Sequence, residues 1–177
     1  MRMRFITPLV LSLGFTPLMA SAAPILPGLW EISTSNMAVD GQQMPAMDVM
    51  IEKLKTLPPE QRQMMEQMLA KQGVRLGDKG VQICLSEAQV KSDELPLQEQ
   101  SGCKQQVTER SDKLWKFSFD CPQAKGQGET KFINDKQFTN TVTSTFNNQG
   151  KQQSGTMQTN ASWVGADCGT LKPQQSN

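Results

Sequence analysis

The chain has 177 residues, a formal net charge of +1, four cysteines, and neither histidine nor tyrosine. Without imidazole it cannot run Ser-His-Asp or Cys-His catalysis or build the usual histidine sites for zinc and copper. Lys+Arg and Asp+Glu nearly balance, at 18 against 17, and no basic stripe of the kind that binds nucleic acid stands out.

Met1-Arg2-Met3-Arg4 is a basic start, residues 5–19 are an apolar run, and Ala20-Ser21-Ala22 is a small-residue cleavage site. That order is the pattern of a secretory signal peptide, with the cut expected after Ala22 and Ala23 as the alternative. The run is too short for a retained membrane anchor. No later segment has the length and apolarity of a span, and no cysteine at the cut suggests a lipid anchor. The expected organisation is a signal peptide at 1–22, a single globular domain at 23–170 and a flexible tail at 171–177. Losing Arg2 and Arg4 leaves sixteen basic against seventeen acidic side chains. An even cysteine count in an exported chain fits an oxidising compartment, so the expected location is periplasmic or secreted.

Residues 24–27 read as an extended leader and 29–37 as a strand with Trp30, Ile32 and Thr34 on one face. A polar loop with an Asp40-Gly41 turn signal follows. Met47, Met50, Ile51 and Leu54 recur at helical spacing. A second helix opens at Pro58-Pro59, carries Met64, Met65, Met68 and Leu69 as its apolar stripe, and stops at Gly73. Residues 81–85 form a short strand, 86–90 one capped helical turn, and 93–102 an irregular stretch.

The segment 103–121 reads as a β-hairpin folded about Asp112. That axis sets Cys103 opposite Cys121, Gln105 opposite Phe119, Val107 opposite Phe117 and Glu109 opposite Trp115. Val107, Trp115, Phe117, Phe119 and both cysteines then share one face. Cross-strand Cβ atoms come within reach of a disulfide, so the expected bonds are Cys103–Cys121 and, by elimination, Cys84–Cys168. The alternative pairing is Cys84–Cys103 with Cys121–Cys168.

Gly126-Gln127-Gly128 reads as a break, and 129–133 pairs with 137–146 across Asn134-Asp135-Lys136. Phe138, Val142 and Phe146 fall on one face, and Thr139, Thr141, Thr143 and Thr145 on the other. Gly155, Met157, Thr159, Ala161 and Trp163 alternate along a last strand that ends at Asp167-Cys168-Gly169. About seven strands joined by hairpins make a mainly β, α+β fold. It is an antiparallel meander, barrel-like or strongly curled, with an inserted Met-rich helical hairpin. A β-sandwich is the other way to close it.

Four markers lie along this order: Pro27-Gly28-Leu29-Trp30-Glu31, the helix start Leu57-Pro58-Pro59-Glu60-Gln61-Arg62, Cys84-Leu85-Ser86-Glu87, and Asp167-Cys168-Gly169. With the four cysteines, they resemble the bacterial exported proteins of domain-of-unknown-function family 3617. The resemblance implies a secreted or periplasmic protein and brings no activity and no site residues.

Three functional expectations follow. The leading one is a non-enzymatic binding protein for an apolar small molecule or an envelope protein. It would use a pocket lined by Trp30, Trp115, Phe117, Phe119, Met64 and Met68, since methionine suits adaptable surfaces. The second is soft-metal binding, with thioethers of Met44, Met47, Met50, Met64, Met65 and Met68 offered to Cu(I). Helical spacing favours instead Met47, Met50, Met64, Met65 and Met68 as the packed seam of the helical hairpin or as flexible apolar surface. The third is carboxylate chemistry through Glu31, Asp120 or Asp167. No cofactor, nucleic acid or span in the mature chain is expected, and the threonine row suits a polysaccharide or simply a wet strand face. Purified from its exporting host, the protein is predicted to start at Ala23 and to weigh four hydrogens less than its reduced form. An intact mass that keeps residues 1–22 contradicts this.

Overall fold

A computed structural model describes residues 24–45, 47–92 and 102–173. The expected signal peptide at 1–22, most of the stretch 93–102 and residues 174–177 of the expected tail lie outside the described residues. The elements in order are β1 (Gly28–Val39), β2 (Gln42–Gln43), α1 (Met47–Lys55), α2 (Pro59–Lys71), β3 (Val74–Leu76), β4 (Val81–Leu85), α3 (Glu87–Lys91), β5 (Lys104–Arg110), β6 (Leu114–Asp120), β7 (Ala124–Asn134), β8 (Gln137–Asn148) and β9 (Lys151–Gly165). The strands form one antiparallel sheet in the order β3-β4-β1-β9-β8-β7-β6-β5, with β2 on the outer part of β1. The sheet is curled and stays open: among the described residues β3 and β5 do not pair.

Register assigns every strand residue to one of two faces. Trp30, Ile32 and Thr34 of β1 stand in line with Ala161 and Thr159 of β9 and with Phe138 and Asn140 of β8. The same rows continue through Phe132 and Thr130 of β7 to Trp115 of β6. This is the aromatic face. Trp30 is fully buried, and its ring centroid lies 5.1 Å from Phe138; Phe138 meets Phe132 at 6.1 Å, and Phe132 meets Trp115 at 5.4 Å. β9 runs between β1 and β8; Phe138 stands opposite Ala161, whose small side chain is buried in the same cluster as Trp30. Leu85 and Val90 complete this cluster. Burying each large ring contributes roughly 1.5–3 kcal/mol, which makes this row the main apolar core.

The helices cover part of that face. Ile51 of α1 is buried, and the Met47 sulfur accepts a hydrogen bond from Thr34 Oγ1 at 3.9 Å. Asp48 in the first turn of α1 and Lys53 and Lys55 in its last match the helix dipole. α3 has a capping box: Ser86 Oγ accepts from Gln89 N–H at 3.1 Å, and Gln89 Oε1 accepts from Ser86 N–H at 2.9 Å. α2 behaves differently. Pro59 at its first turn and Gly73 after its end, with φ of +72°, bound it as the sequence predicts. Its methionine stripe was expected to pack, yet no residue of α2 is buried. Helical period reports a face, and only a partner surface turns that face into core; α2 runs beside β3 at the sheet's short edge.

Cys84 is bonded to Cys168 and Cys103 to Cys121. Leu171, expected to open the loose tail, is buried against Leu29 and Cys84. Two expectations in the hairpin region need correction. Gln105↔Phe119 and Val107↔Phe117 stand as read, but a bulge at Thr108 sets Glu109 opposite Lys116 and Arg110 opposite Trp115. The Arg110 guanidinium then lies 4.2 Å from the Trp115 ring centroid. Gly126-Gln127-Gly128 is not a break; it lies inside β7, where Phe117 pairs with Gly128 and Phe119 with Gly126. A methyl at Gly128 would overlap the Phe117 ring, and one at Gly126 would sit 2.8 Å from Phe119 Cζ. The short strands β2 and β3 complete a sheet larger than the seven strands expected.

Phe117 is itself buried, so its ring has nowhere to move. Gly128→Ala is therefore predicted to lower stability by about 1–3 kcal/mol, the usual cost of overpacking. Urea denaturation checks it; an unchanged midpoint would show that the ring is free to shift.

Candidate functional site

The opposite face of the sheet carries hydroxyls, amides and paired charges. Two parallel rows cross it from β5 to β9. One is Lys104, Asp120, Lys125, Thr145 and Ser154; the other is Gln106, Ser118, Gln127, Thr143 and Thr156. The row between them is Gln105, Phe119, Gly126, Ser144 and Gly155, whose side chains fall on the aromatic face. These fifteen residues line an open groove of about 980 Å³. It crosses five strands, four spacings of about 4.8 Å, so it is about 19 Å long. A smaller hollow of about 360 Å³ shares Asp120, Lys125 and Thr145 and extends it to Asn147 and Gln152.

Each wall has a local cause. Residues two apart on a strand share a face, so the alternating threonines of β8 supply Thr143 and Thr145. Gly126 and Gly155 carry no side chain of their own in the middle row, and the Phe119 and Phe146 rings lie over them on the aromatic side. One end of the groove is fixed by Asp40, which with Gly41 makes a tight turn with positive φ at both residues. The Asp40 carboxylate accepts from Ser154 N–H at 2.8 Å, from Ser154 Oγ at 3.3 Å and from Gln153 Nε2 at 3.2 Å. The Ser154 backbone bond, then the Gln153 amide, hold the Asp40 carboxyl below its ordinary range of about 3.8. Beside the amide row, Lys116 bonds Glu109 at 2.6 Å and Lys131 bonds Glu129 at 2.7 Å, so the charges there are internally paired. Asp120 stands directly between Lys104 and Lys125. Within the groove, two lysines against one aspartate leave it weakly cationic.

The six residues expected to line an apolar pocket are dispersed. Trp30, Trp115 and Phe117 are buried in the core, and Phe119 is among the residues that line the groove. Met64 and Met68 lie on α2, 71% and 60% exposed. Of the thioethers, Met47 turns toward Thr34, Met65 is half-buried, and Met44 and Met50 are exposed. The carboxylates do not meet either. Glu31 accepts from Lys79 N–H at 2.7 Å and from Gln82 Nε2 at 3.3 Å, Asp167 accepts from Gly169 N–H at 2.8 Å, and Asp120 is on β6. Three strands separate β1 from β6, so Glu31 and Asp120 are about 19 Å apart across the sheet. The groove itself was missed as a site. Its one sequence signal was the threonine row, which gives two of the ten wall residues.

The profile of a family described as "Protein of unknown function (DUF3617)" matches residues 25–168. An "Uncharacterized protein in lpd-3 5'region" from Pseudomonas putida is 49% identical over 132 residues, covering 74% of this chain and 93% of that protein. No solved structure matches.

Asp40 has its carboxyl pKa lowered in the fold, so its contribution is present above the ordinary value and lost as pH falls through the folded one. An NMR titration is predicted to give Asp40 a midpoint below about 3.8, with the Ser154 amide signal moving in parallel. Asp40→Asn should abolish that parallel movement. An Asp40 midpoint at or above the ordinary value contradicts the assignment.

Proposed function

The chain belongs to this family of proteins of unknown function, and with no activity to inherit we propose that it is an exported binding protein whose ligand lies in the groove across β5 to β9. The observation that carries the reading is the hydroxyl and amide row Gln106, Ser118, Gln127, Thr143 and Thr156, set beside a row of Lys104, Asp120, Lys125, Thr145 and Ser154. Ser, Thr and Gln side chains both donate and accept hydrogen bonds, so they match a ligand that repeats both functions along its length. A groove about 19 Å long, open and weakly cationic, with polar side chains along it, suits an extended polyhydroxylated chain, neutral or sparsely anionic. In an exported protein the fitting class is a glycan. Export rests on the leader pattern at 1–22, and the two disulfides support it.

The reading keeps the non-enzymatic binding role expected from the sequence and changes the ligand chemistry. An apolar ligand needs an apolar wall, and the rings suited to supply one are packed against each other. Catalysis finds no support in the groove, because Asp120 has two lysines beside it and no second carboxylate among the lining residues.

The test is an NMR titration of the oxidised protein with soluble glycan strands released from bacterial cell wall. Shifts are predicted at Gln106, Gln127, Thr143 and Thr156, with Gln127→Ala lowering affinity about two- to tenfold for the lost hydrogen bond. Shifts confined to residues of the aromatic face, or none with any glycan, would overturn the reading.

A further inference from the structure

Methionine is normally a core residue. Here none of the eight methionines among the described residues is buried. Nine large apolar side chains stand exposed, and six are methionines: Met37, Met44, Met50, Met64, Met68 and Met157. Met64 and Met68 lie one turn apart on α2, the helix without a buried residue. Met37 and Met157 are direct partners across β1 and β9.

The other oxidisable side chains are withheld from the surface. The chain has no histidine and no tyrosine. All four cysteines are in disulfides. Trp30 and Trp115 are buried, and the half-buried Trp163 has the Lys136 ammonium 5.2 Å from its ring centroid. The thioether is therefore the reducing group that this surface chiefly presents.

We propose that these methionines form an oxidant-accepting surface, on which Met44, Met50, Met64 and Met68 take oxygen from hydroperoxides or hypochlorous acid without loss of the fold. In the peroxide case the sulfur lone pair attacks the distal oxygen of ROOH and the O–O bond breaks. The proton on that oxygen passes to the departing RO⁻, giving a sulfoxide and ROH. Sulfur is oxidised by two electrons and the peroxide is reduced by two. A sulfoxide is polar, and in a core it would have to lose water without gaining a partner. At these four positions it stays in water, so the packing of Trp30, Phe138 and Phe132 does not change. Met47, with its sulfur turned to Thr34, is the slow member. Methionine sulfoxide reductases return each sulfoxide to the thioether, which makes the surface renewable.

The experiment treats the oxidised, folded protein with hydrogen peroxide and, separately, with hypochlorous acid, and maps the products by peptide mass spectrometry. The expected result is oxygen first on Met64, Met68, Met50 and Met44, with the disulfides and Trp30 and Trp115 unmodified. Near-ultraviolet circular dichroism should stay unchanged, and methionine sulfoxide reductases A and B should reverse the mass gain. A variant carrying Met44→Leu, Met50→Leu, Met64→Leu and Met68→Leu should melt at the same temperature and consume four fewer equivalents of oxidant. Unfolding as the sulfoxides accumulate, tryptophan oxidation ahead of methionine, sulfoxides that the reductases do not remove, or undiminished oxidant uptake by the variant would each overturn the proposal.

Discussion

Large rings meeting over small residues are the interaction on which the rest of this structure depends. Trp30 meets Phe138 across β9 in a cluster that includes the small Ala161, and Phe117 and Phe119 lie over Gly128 and Gly126. Rings that lean together across intervening strands draw one face of a twisted sheet inward, and the curl follows from that. The rings are then consumed as core. Trp30, Trp115 and Phe117 are thereby spent on holding the sheet, and the proposed reading gives the ligand to the hydroxyl face.

An open sheet has edges, and the chain manages them covalently as well as by packing. Cys103–Cys121 closes the hairpin at one edge, and Cys84–Cys168 ties β4 to the segment after β9 across β1. On the loop-entropy model such closures contribute roughly 3 and 4.5 kcal/mol. They also keep register, and register matters more here than at a site built on one loop. The groove is made of rows crossing five strands, so a one-residue slip of any strand would turn its wall residues to the other face. The Asp40 bonds to Ser154 act in the same sense where β9 borders the groove.

What the sequence made legible was local. The cysteine-bounded hairpin, the two proline- and glycine-limited helices, the capped turn at Ser86 and the alternation along β8 all rest on residues within a few positions of each other. The failures were of two physical kinds. The Thr108 bulge leaves no mark on composition, and it moved Arg110 rather than Glu109 opposite Trp115. The glycines at 126 and 128 look like a turn until it is known that two phenylalanine rings occupy the space their side chains would take. The methionine stripe of α2 gave the right helix and the wrong expectation of burial, because period is a property of one element and burial belongs to two. The groove was hidden for the most basic reason. Its ten wall residues come from five strands, two from each, and no single stretch shows more than an alternating pair.

Native mass spectrometry of the oxidised protein isolated gently from its own compartment bears most directly on the division into a spent aromatic face and a receptive hydroxyl face. The account predicts a co-purifying adduct of carbohydrate mass that shortens by saccharide units on glycosidase treatment and is lost when Gln127 and Thr143 are replaced by alanine. An adduct of lipid mass, retained by that double variant, would show that the aromatic face receives the ligand after all.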